Sequence, residues 1–185
     1  MTIGCVDVAY GERGARAACV LIDAWKSQLA LACYVEAVDT RPPPYEPGFF
    51  YRRELPYVLA VLRSLPALPA LVIVDGYVWL PPDGRPGLGA HVYEALARRI
   101  TVVGIAKRPF DGVEACDCVR PILRGASRQP LFVTAAGMTN AAAAVAVRAM
   151  AGKHRIPDMV RMADRLAREG TIAPPRACAR TMRRK

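Results

Sequence analysis

Leu71-Val72-Ile73-Val74-Asp75-Gly76 is a run of apolar residues that ends at a carboxylate and a glycine. A continuous apolar run of this length is typical of a strand buried on both faces of a sheet, as parallel strands are. In open α/β sheets ligands bind beyond the carboxyl ends of the strands, so Asp75 is a candidate site residue. The alternative is an Asp-Gly pair that only forms a turn.

The segments on either side of this run predict a mixed α/β layer. Residues 3–9, 17–22 and 29–38 are apolar segments that we expect to form three antiparallel strands. A helix over residues 51–64 follows them. After the run come these predicted elements: a helix over 88–98, a strand over 101–105, a hairpin of 119–123 with 131–134, a helix over 139–150 capped by Thr139 or Asn140, and a helix over 158–169. Three antiparallel strands followed by helices and parallel strands match the ribonuclease H-like fold.

Composition indicates one globular domain. The chain has 185 residues, of which 53% are hydrophobic, enough for a core. It has no stretch of eighteen apolar residues and no signal-peptide pattern at its start, so we expect a cytoplasmic protein. The six cysteines lack zinc-site spacing and are expected to be reduced thiols, with Cys116 and Cys118 as an alternative redox pair.

The net charge of +10 favours a polyanionic partner. Residues 171–185 carry five Lys or Arg and no acid, so half of the excess lies there. This segment lacks apolar periodicity and contains Pro174-Pro175, which predicts a basic, disordered tail after a domain of residues 1–170.

Three carboxylates stand where the predicted sheet would bring them together. Asp7 lies inside an apolar strand, Glu54 near the start of a helix and Asp75 at the end of the buried run. Each has an ordinary alternative, such as an arginine partner for Asp7 or the helix dipole for Glu54. If the first and fourth strands are neighbours, the three converge, and an all-oxygen site of this kind selects magnesium or manganese.

The residues also resemble the endonuclease V family over about residues 3–168. The most specific segment is Pro44-Tyr45-Glu46-Pro47-Gly48-Phe49, followed by the pair Arg53-Glu54. Four further segments are similar to family motifs and occur in the same order: residues 6–10, 74–76, 104–107, and 155–157 with Ala163-Asp164.

This resemblance implies a Mg²⁺-dependent nuclease, with Mn²⁺ as a possible replacement, that acts on inosine-containing DNA or RNA. It would hydrolyse a phosphodiester on the 3′ side of the lesion. We expect it to be a monomer and to have no membrane partner. Asp7, Glu54 and Asp75 would bind the metal and, with Lys107, form the catalytic set. The implied nucleic-acid contacts are Tyr45, Pro47, Gly48, Arg53, Gly76 and Lys107, with the loop of Tyr45 and its prolines as a wedge beside a flipped base.

The chain departs from the family at two histidine positions. It has Ala136-Gly137-Met138 where the family has a histidine, and we expect that family histidine to lie beside the attacking water. The second family histidine falls near Pro81 in this chain. Glu46 replaces an apolar residue of the wedge. These departures leave open a non-catalytic nucleic-acid-binding relative of the family. An unrelated small α/β protein is a third interpretation.

Overall fold

The structure is a computed structural model that describes residues 1–11, 14–39, 49–113, 116, 118–170 and 181–182. Its four described helices are α1 (Tyr51–Arg63), α2 (Leu88–Ala95), α3 (Asn140–Arg148) and α4 (Asp158–Glu169). Its described strands are β1 (Ile3–Tyr10), β2 (Ala15–Ile22), β3 (Ala32–Val38), β4 (Leu71–Asp75), β5 (Trp79–Leu80), β6 (Arg85–Pro86), β7 (Thr101–Ala106), β8 (Arg120–Ile122), β9 (Leu131–Ala136) and β10 (Thr181–Met182). None of these helices is long and apolar enough to cross a membrane.

One mixed sheet carries most of the described strands. Their order is β10-β3-β2-β1-β4-β7-β9-β8, and β5 and β6 form a separate small ribbon. The predicted meander of β1, β2 and β3 is antiparallel, while β1, β4 and β7 pair in parallel. The hairpin of β8 and β9 is also present, so the predicted mixed α/β layer is confirmed.

Helices cover both faces of this sheet. One apolar cluster joins α3 and α4 to the face that includes Cys5 and Ile73. A second cluster joins α1 and α2 to the opposite face, which includes Val6 and Val74. Burial of both faces explains why the run at residues 71–74 is apolar at every position.

Several element boundaries differ from the predicted ones. The third strand begins at Ala32 rather than residue 29. The helix expected over residues 88–98 ends at Ala95, because Ala97 and Arg98 adopt positive φ angles of 54° and 57° that a helix cannot continue through. The predicted cap of α3 is Thr139, whose side chain accepts a hydrogen bond from the Ala142 amide.

The cysteines fall into two groups. Cys5, Cys19 and Cys33 are buried and lie outside the disulfide described next, as expected of reduced thiols on strands. Cys116 and Cys118 are joined in a disulfide, which corrects the expectation of free thiols for this pair. Of the predicted tail, only Thr181–Met182 is described, pairing with β3; the disorder expected of residues 171–180 and 183–185 lies outside the described residues.

A buried arginine fixes the segment between α3 and α4. Arg124 is 5% exposed, and its guanidinium donates hydrogen bonds to main-chain carbonyls at the end of α3 and within this segment. Its acceptors include Met150, His154 at 2.9 Å and Arg155 at 3.3 Å. These bonds satisfy both the buried guanidinium and carbonyls at the end of α3, so the segment is tied to the sheet.

Gly104 allows the chain after β4 to approach β7 closely. A Cβ atom at residue 104 would lie 2.4 Å from the Gly76 carbonyl oxygen and 2.8 Å from the Val78 nitrogen. Because these contacts are with backbone, small side-chain movements cannot relieve them. The backbone after Asp75 therefore depends on the absence of a side chain in the middle of β7.

We predict that Gly104→Ala lowers the free energy of unfolding by about 1–3 kcal/mol or more, since it overpacks this contact. Gly11→Ala is a suitable control, because the nearest atom to its added Cβ would be 3.9 Å away. Urea denaturation of the two variants measures the difference. Equal midpoints would show that β7 and the Gly76 segment separate easily.

Candidate active site at the carboxyl ends of the parallel strands

Parallel pairing places two of the predicted carboxylates side by side. In the β1–β4 ladder Val6 lies opposite Val74, so the following residues, Asp7 and Asp75, occupy matching positions on neighbouring strands. Val6 and Val74 face the α1 side, and alternation along a strand turns Asp7 and Asp75 towards the α4 side. The predicted adjacency of these two residues is therefore confirmed.

Glu54 reaches the same end of the sheet from α1. It lies in the first turn of the helix and is 6% exposed. The Tyr10 hydroxyl donates a hydrogen bond of 2.5 Å to Glu54 Oε1. Burial raises the pKa of Glu54 to about 7; the Tyr10 bond opposes this effect, while the charge of Asp75 adds to it.

Lys107 follows the end of β7 and lies next to Asp75. Its ammonium group forms a short ion pair with the Asp75 carboxylate. Burial lowers the pKa of Lys107, but attraction to Asp75, to Asp7 and to Asp164 outweighs this effect, so the pKa is raised. Lys107 therefore stays charged beside a group of acids.

Asp7 is the carboxylate of this site whose buried charge is least compensated by hydrogen bonds from the described residues. Its Oδ1 accepts a hydrogen bond from the Val8 amide at 2.8 Å, whereas Oδ2 is buried and has no hydrogen-bond partner among the described residues. Burial and the nearby charge of Asp75 raise the pKa of Asp7 to about 7, although Lys107 opposes the shift. A buried carboxylate oxygen without a donor is costly and suits a cation.

Asp164 joins this group; it lies in a segment of the sequence that is similar to a family motif, which by itself assigned it no role. It lies on α4 and is close enough to raise the pKa of both Asp7 and Lys107. Its carboxylate also bonds Arg168 at 2.7 Å, one turn further along the helix. Two signals were available in the sequence: the family-like pair Ala163-Asp164, and an acid on the inward half of a helix whose other inward residues are apolar.

The three predicted metal ligands do not form a ready-made ligand group. Among the residues that the structure describes, no three His, Cys, Asp or Glu side chains are arranged to hold one ion. Asp75 is bound by Lys107, and Glu54 is bound by Tyr10. The donor set nevertheless fits a hard divalent cation, because it is made of oxygen atoms and includes the unpaired Asp7 Oδ2.

The predicted nucleic-acid contacts are only partly described. Tyr45, Pro47 and Gly48 lie outside the described residues. The Arg53 guanidinium lies over the Tyr10 ring, 4.7 Å from its centroid, and its Nε is buried without a hydrogen-bond partner among the described residues. Gly76 has a φ angle of 140°, and its amide donates to the Ile105 carbonyl at 3.1 Å.

The sheet topology corrects the expectation about the missing histidine at residues 136–138. β9 runs antiparallel to β7, and Ala136 pairs with Val102 near the start of β7. Asp75 pairs with Ile105 near the end of β7, so Met138 lies towards the opposite end of the sheet from the carboxylates. A histidine at residue 138 would therefore not lie beside water or metal at Asp7 and Asp75.

This acidic end of a mixed sheet is the arrangement of ribonuclease H-like nucleases, and comparison with known proteins identifies the family. An endonuclease V family model matches residues 1–165. The chain belongs to the endonuclease V family, whose members are nucleases and thus phosphodiester hydrolases.

Individual relatives agree with this assignment. Endonuclease V of Streptomyces coelicolor is 34% identical over 184 residues, which cover 88% of this chain and 76% of that protein. The crystal structure of endonuclease V from Streptomyces avermitilis has a TM-score of 0.73 at 28% identity and covers 92% of this chain and 81% of that one. A Ciona intestinalis endonuclease V structure, 20% identical, has a TM-score of 0.73, covers 91% of this chain and 84% of that one, and shows the same fold. These neighbours confirm the predicted ribonuclease H-like fold.

The raised pKa values predict an unusual dependence of stability on pH. In the unfolded chain Asp7 ionises near its ordinary value of 3.8, but in the folded protein it ionises near 7. The unfolded state therefore holds fewer protons than the folded state between these values, and the free energy of unfolding falls as pH rises through this window. The cost is absent below about pH 4 and complete above about pH 7.

We therefore predict that Asp7→Asn, which cannot ionise, becomes progressively more stable relative to the wild type between pH 4 and pH 8. Denaturation of metal-free protein at several pH values measures this. Asp23→Asn is the control, because the Ser27 hydrogen bond lowers the pKa of Asp23 and removes any gain of this sign. A stability difference between Asp7→Asn and wild type that does not change with pH would contradict the burial described for Asp7.

Proposed function

We propose that this protein is a divalent-metal-dependent endonuclease that hydrolyses DNA or RNA on the 3′ side of inosine. The observation that carries this proposal is the buried Asp7 Oδ2 atom, which has no hydrogen-bond donor within the described part of the chain and lies among other carboxylates. A cation at this position would offset the repulsion between Asp7 and Asp75 and the cost of burying them.

Relatives support the choice of substrate. The chain shares its family with proteins named endonuclease V. The Ciona endonuclease V was crystallised with a 23-mer DNA that contains an inosine followed by a ribo-adenosine. We extend that substrate class to this chain and propose that it works in the cytoplasm as a monomer.

The residues at the site have separate tasks in this proposal. Asp7 and Asp75 would hold Mg²⁺ or Mn²⁺, and Glu54 would complete the set from α1, with Tyr10 orienting its carboxylate. Such a metal, when bound, would lower the pKa of water and neutralise phosphate charge. Asp164 is on α4, which covers the sheet face opposite to α1 and Glu54. From there it can orient water or take a proton beside Asp7.

Lys107 supplies positive charge next to the acids. It stays protonated because Asp75 and the other carboxylates raise its pKa. When a phosphate enters, the ammonium group can donate to a phosphate oxygen as well as to Asp75, since it has three protons. Tyr45, Pro47, Gly48, Arg53 and Gly76 are proposed to contact the strand around the lesion.

The proposal predicts cleavage of an inosine-containing strand with magnesium or manganese, none with chelator, and little on the matching adenosine strand. Asp7→Asn should lower the cleavage rate by about a thousandfold or more, because a lost metal ligand removes several kcal/mol of transition-state stabilisation. Gel analysis of end-labelled strands measures the rate and locates the cut. Asp23→Asn, at an exposed turn far from the site, should cleave like the wild type.

The same experiment separates the two interpretations left open by the sequence. Binding of the inosine strand without any cleavage, even with manganese, would support the non-catalytic relative and reject the nuclease. Equal cleavage of inosine and adenosine strands would keep the nuclease but reject its specificity.

A further prediction follows from the position of Met138. Because this residue lies towards the opposite end of the sheet from Asp75, Met138→His should leave the cleavage rate within about twofold of the wild type. Single-turnover rates under saturating protein provide the comparison. An increase of tenfold or more would mean that a histidine at residue 138 acts on the site after all.

A further inference from the structure

A cavity lies beside the carboxylate site and shares Lys107 with it, while Asp7, Glu54 and Asp75 are not among its described lining residues. It has a volume of about 870 Å³, within the range of sites that bind small molecules. Lys107 and Arg108 line one side, and Phe132 and Val113 contribute apolar surface. The pairing of Ala106 with Phe132 places the cavity at the same end of the sheet as Asp75.

The charge of the lining is one-sided. Lys107, Arg108 and Arg155 all contribute to the walls, and none of the described lining residues is an acid. Lys107 is paired with Asp75, but Arg108 is exposed and its main-chain carbonyl, not its guanidinium, is what Tyr77 bonds at 2.9 Å. Phe132 is 7% exposed, so it contributes a small aromatic patch to the wall. A cavity with this charge and such a patch suits a ligand that combines an anionic group with a flat ring.

Arg155 makes the wall rigid. Its guanidinium donates to the carbonyls of Lys107 and Pro130, and to Gln129 Oε1 at 3.1 Å. These bonds connect the segment after β7 to the residues before β9. Its Nε is buried and has no hydrogen-bond partner among the described residues, so the wall also retains an unused donor.

We propose that this cavity, the Lys107 pocket, binds one nucleotide of the substrate strand next to the phosphate that is cut. The phosphate of that nucleotide contacts Lys107 and Arg108, and its base packs against Phe132. This inference rests on the proposed function, because continuity with the carboxylates through Lys107 is what favours a nucleotide of the strand over a free nucleotide. It assigns Arg108 and Phe132 to substrate binding.

The test is binding of a short single-stranded inosine oligonucleotide in chelator, measured by fluorescence anisotropy at several salt concentrations. Arg108→Ala should weaken binding and reduce the slope of log K against log salt by about 0.7, the value for one phosphate contact on a single strand. Arg99→Ala is the matched control, since Arg99 is exposed and precedes the start of β7, whereas Arg108 follows its end. It should leave both quantities unchanged.

Phe132→Leu tests the base contact separately. It keeps an apolar side chain in the core but removes the ring, so affinity should fall about fivefold or more while the salt slope stays the same. Urea denaturation of this variant checks that it is folded. Adenosine monophosphate provides the other arm: a mononucleotide that binds the wild type as tightly as the strand does would identify a free-nucleotide site and overturn the proposal.

The outcomes separate this inference from the proposed function. Cleavage of the inosine strand by the wild type, together with equal binding by Arg108→Ala and Arg99→Ala, would reject the Lys107 pocket and leave the nuclease intact. Loss of affinity in Arg108→Ala and Phe132→Leu, with Arg99→Ala unchanged, supports the pocket, because binding is measured without metal and does not depend on cleavage.

Discussion

The parallel pairing of β1 with β4 is the constraint on which the rest of the site depends. Its register puts Asp7 and Asp75 at matching positions, where two carboxylates repel each other in a partly buried setting. Two features near Asp7 and Asp75 reduce this repulsion or leave a position for a cation. Lys107 forms an ion pair with Asp75, and the Asp7 oxygen, for which the described residues supply no donor, is a position suited to a cation. The strand register thus creates the repulsion between carboxylates that a cation at this site would relieve.

Much of this arrangement could be predicted from local sequence. The apolar run before Asp75 indicated a buried strand, and the amphipathic pattern of residues 158–169 predicted α4 with both of its ends. The spacing of apolar residues predicts such segments well, because burial on one face or on both faces determines that spacing. The end of α2 could not be predicted, since positive φ angles at Ala97 and Arg98 carry no glycine signal.

The parts of the site that the sequence did not predict are long-range contacts. Asp164 approaches Asp7 only because α4 packs on the face to which Asp7 points, and its own helix gives no hint of that neighbour. The error about Met138 has a related cause. The resemblance to the family suggested that the residues after β9 lie near the acids, whereas the antiparallel direction of β9 beside β7 carries the chain away from them. Strand direction, not motif order, decides which ends of strands share a site.

The hydrogen bonds from Arg124 to the connection between α3 and α4 have a consequence for molecular recognition. By holding carbonyls along this connection, including that of Arg155 itself, Arg124 makes Arg155 part of the rigid body of the domain. A ligand that meets a preorganised wall loses little binding free energy to the ordering of protein segments. Affinity at that wall then reflects contact chemistry alone, and a bound strand is recognised by fit to a fixed shape rather than by folding the protein around it.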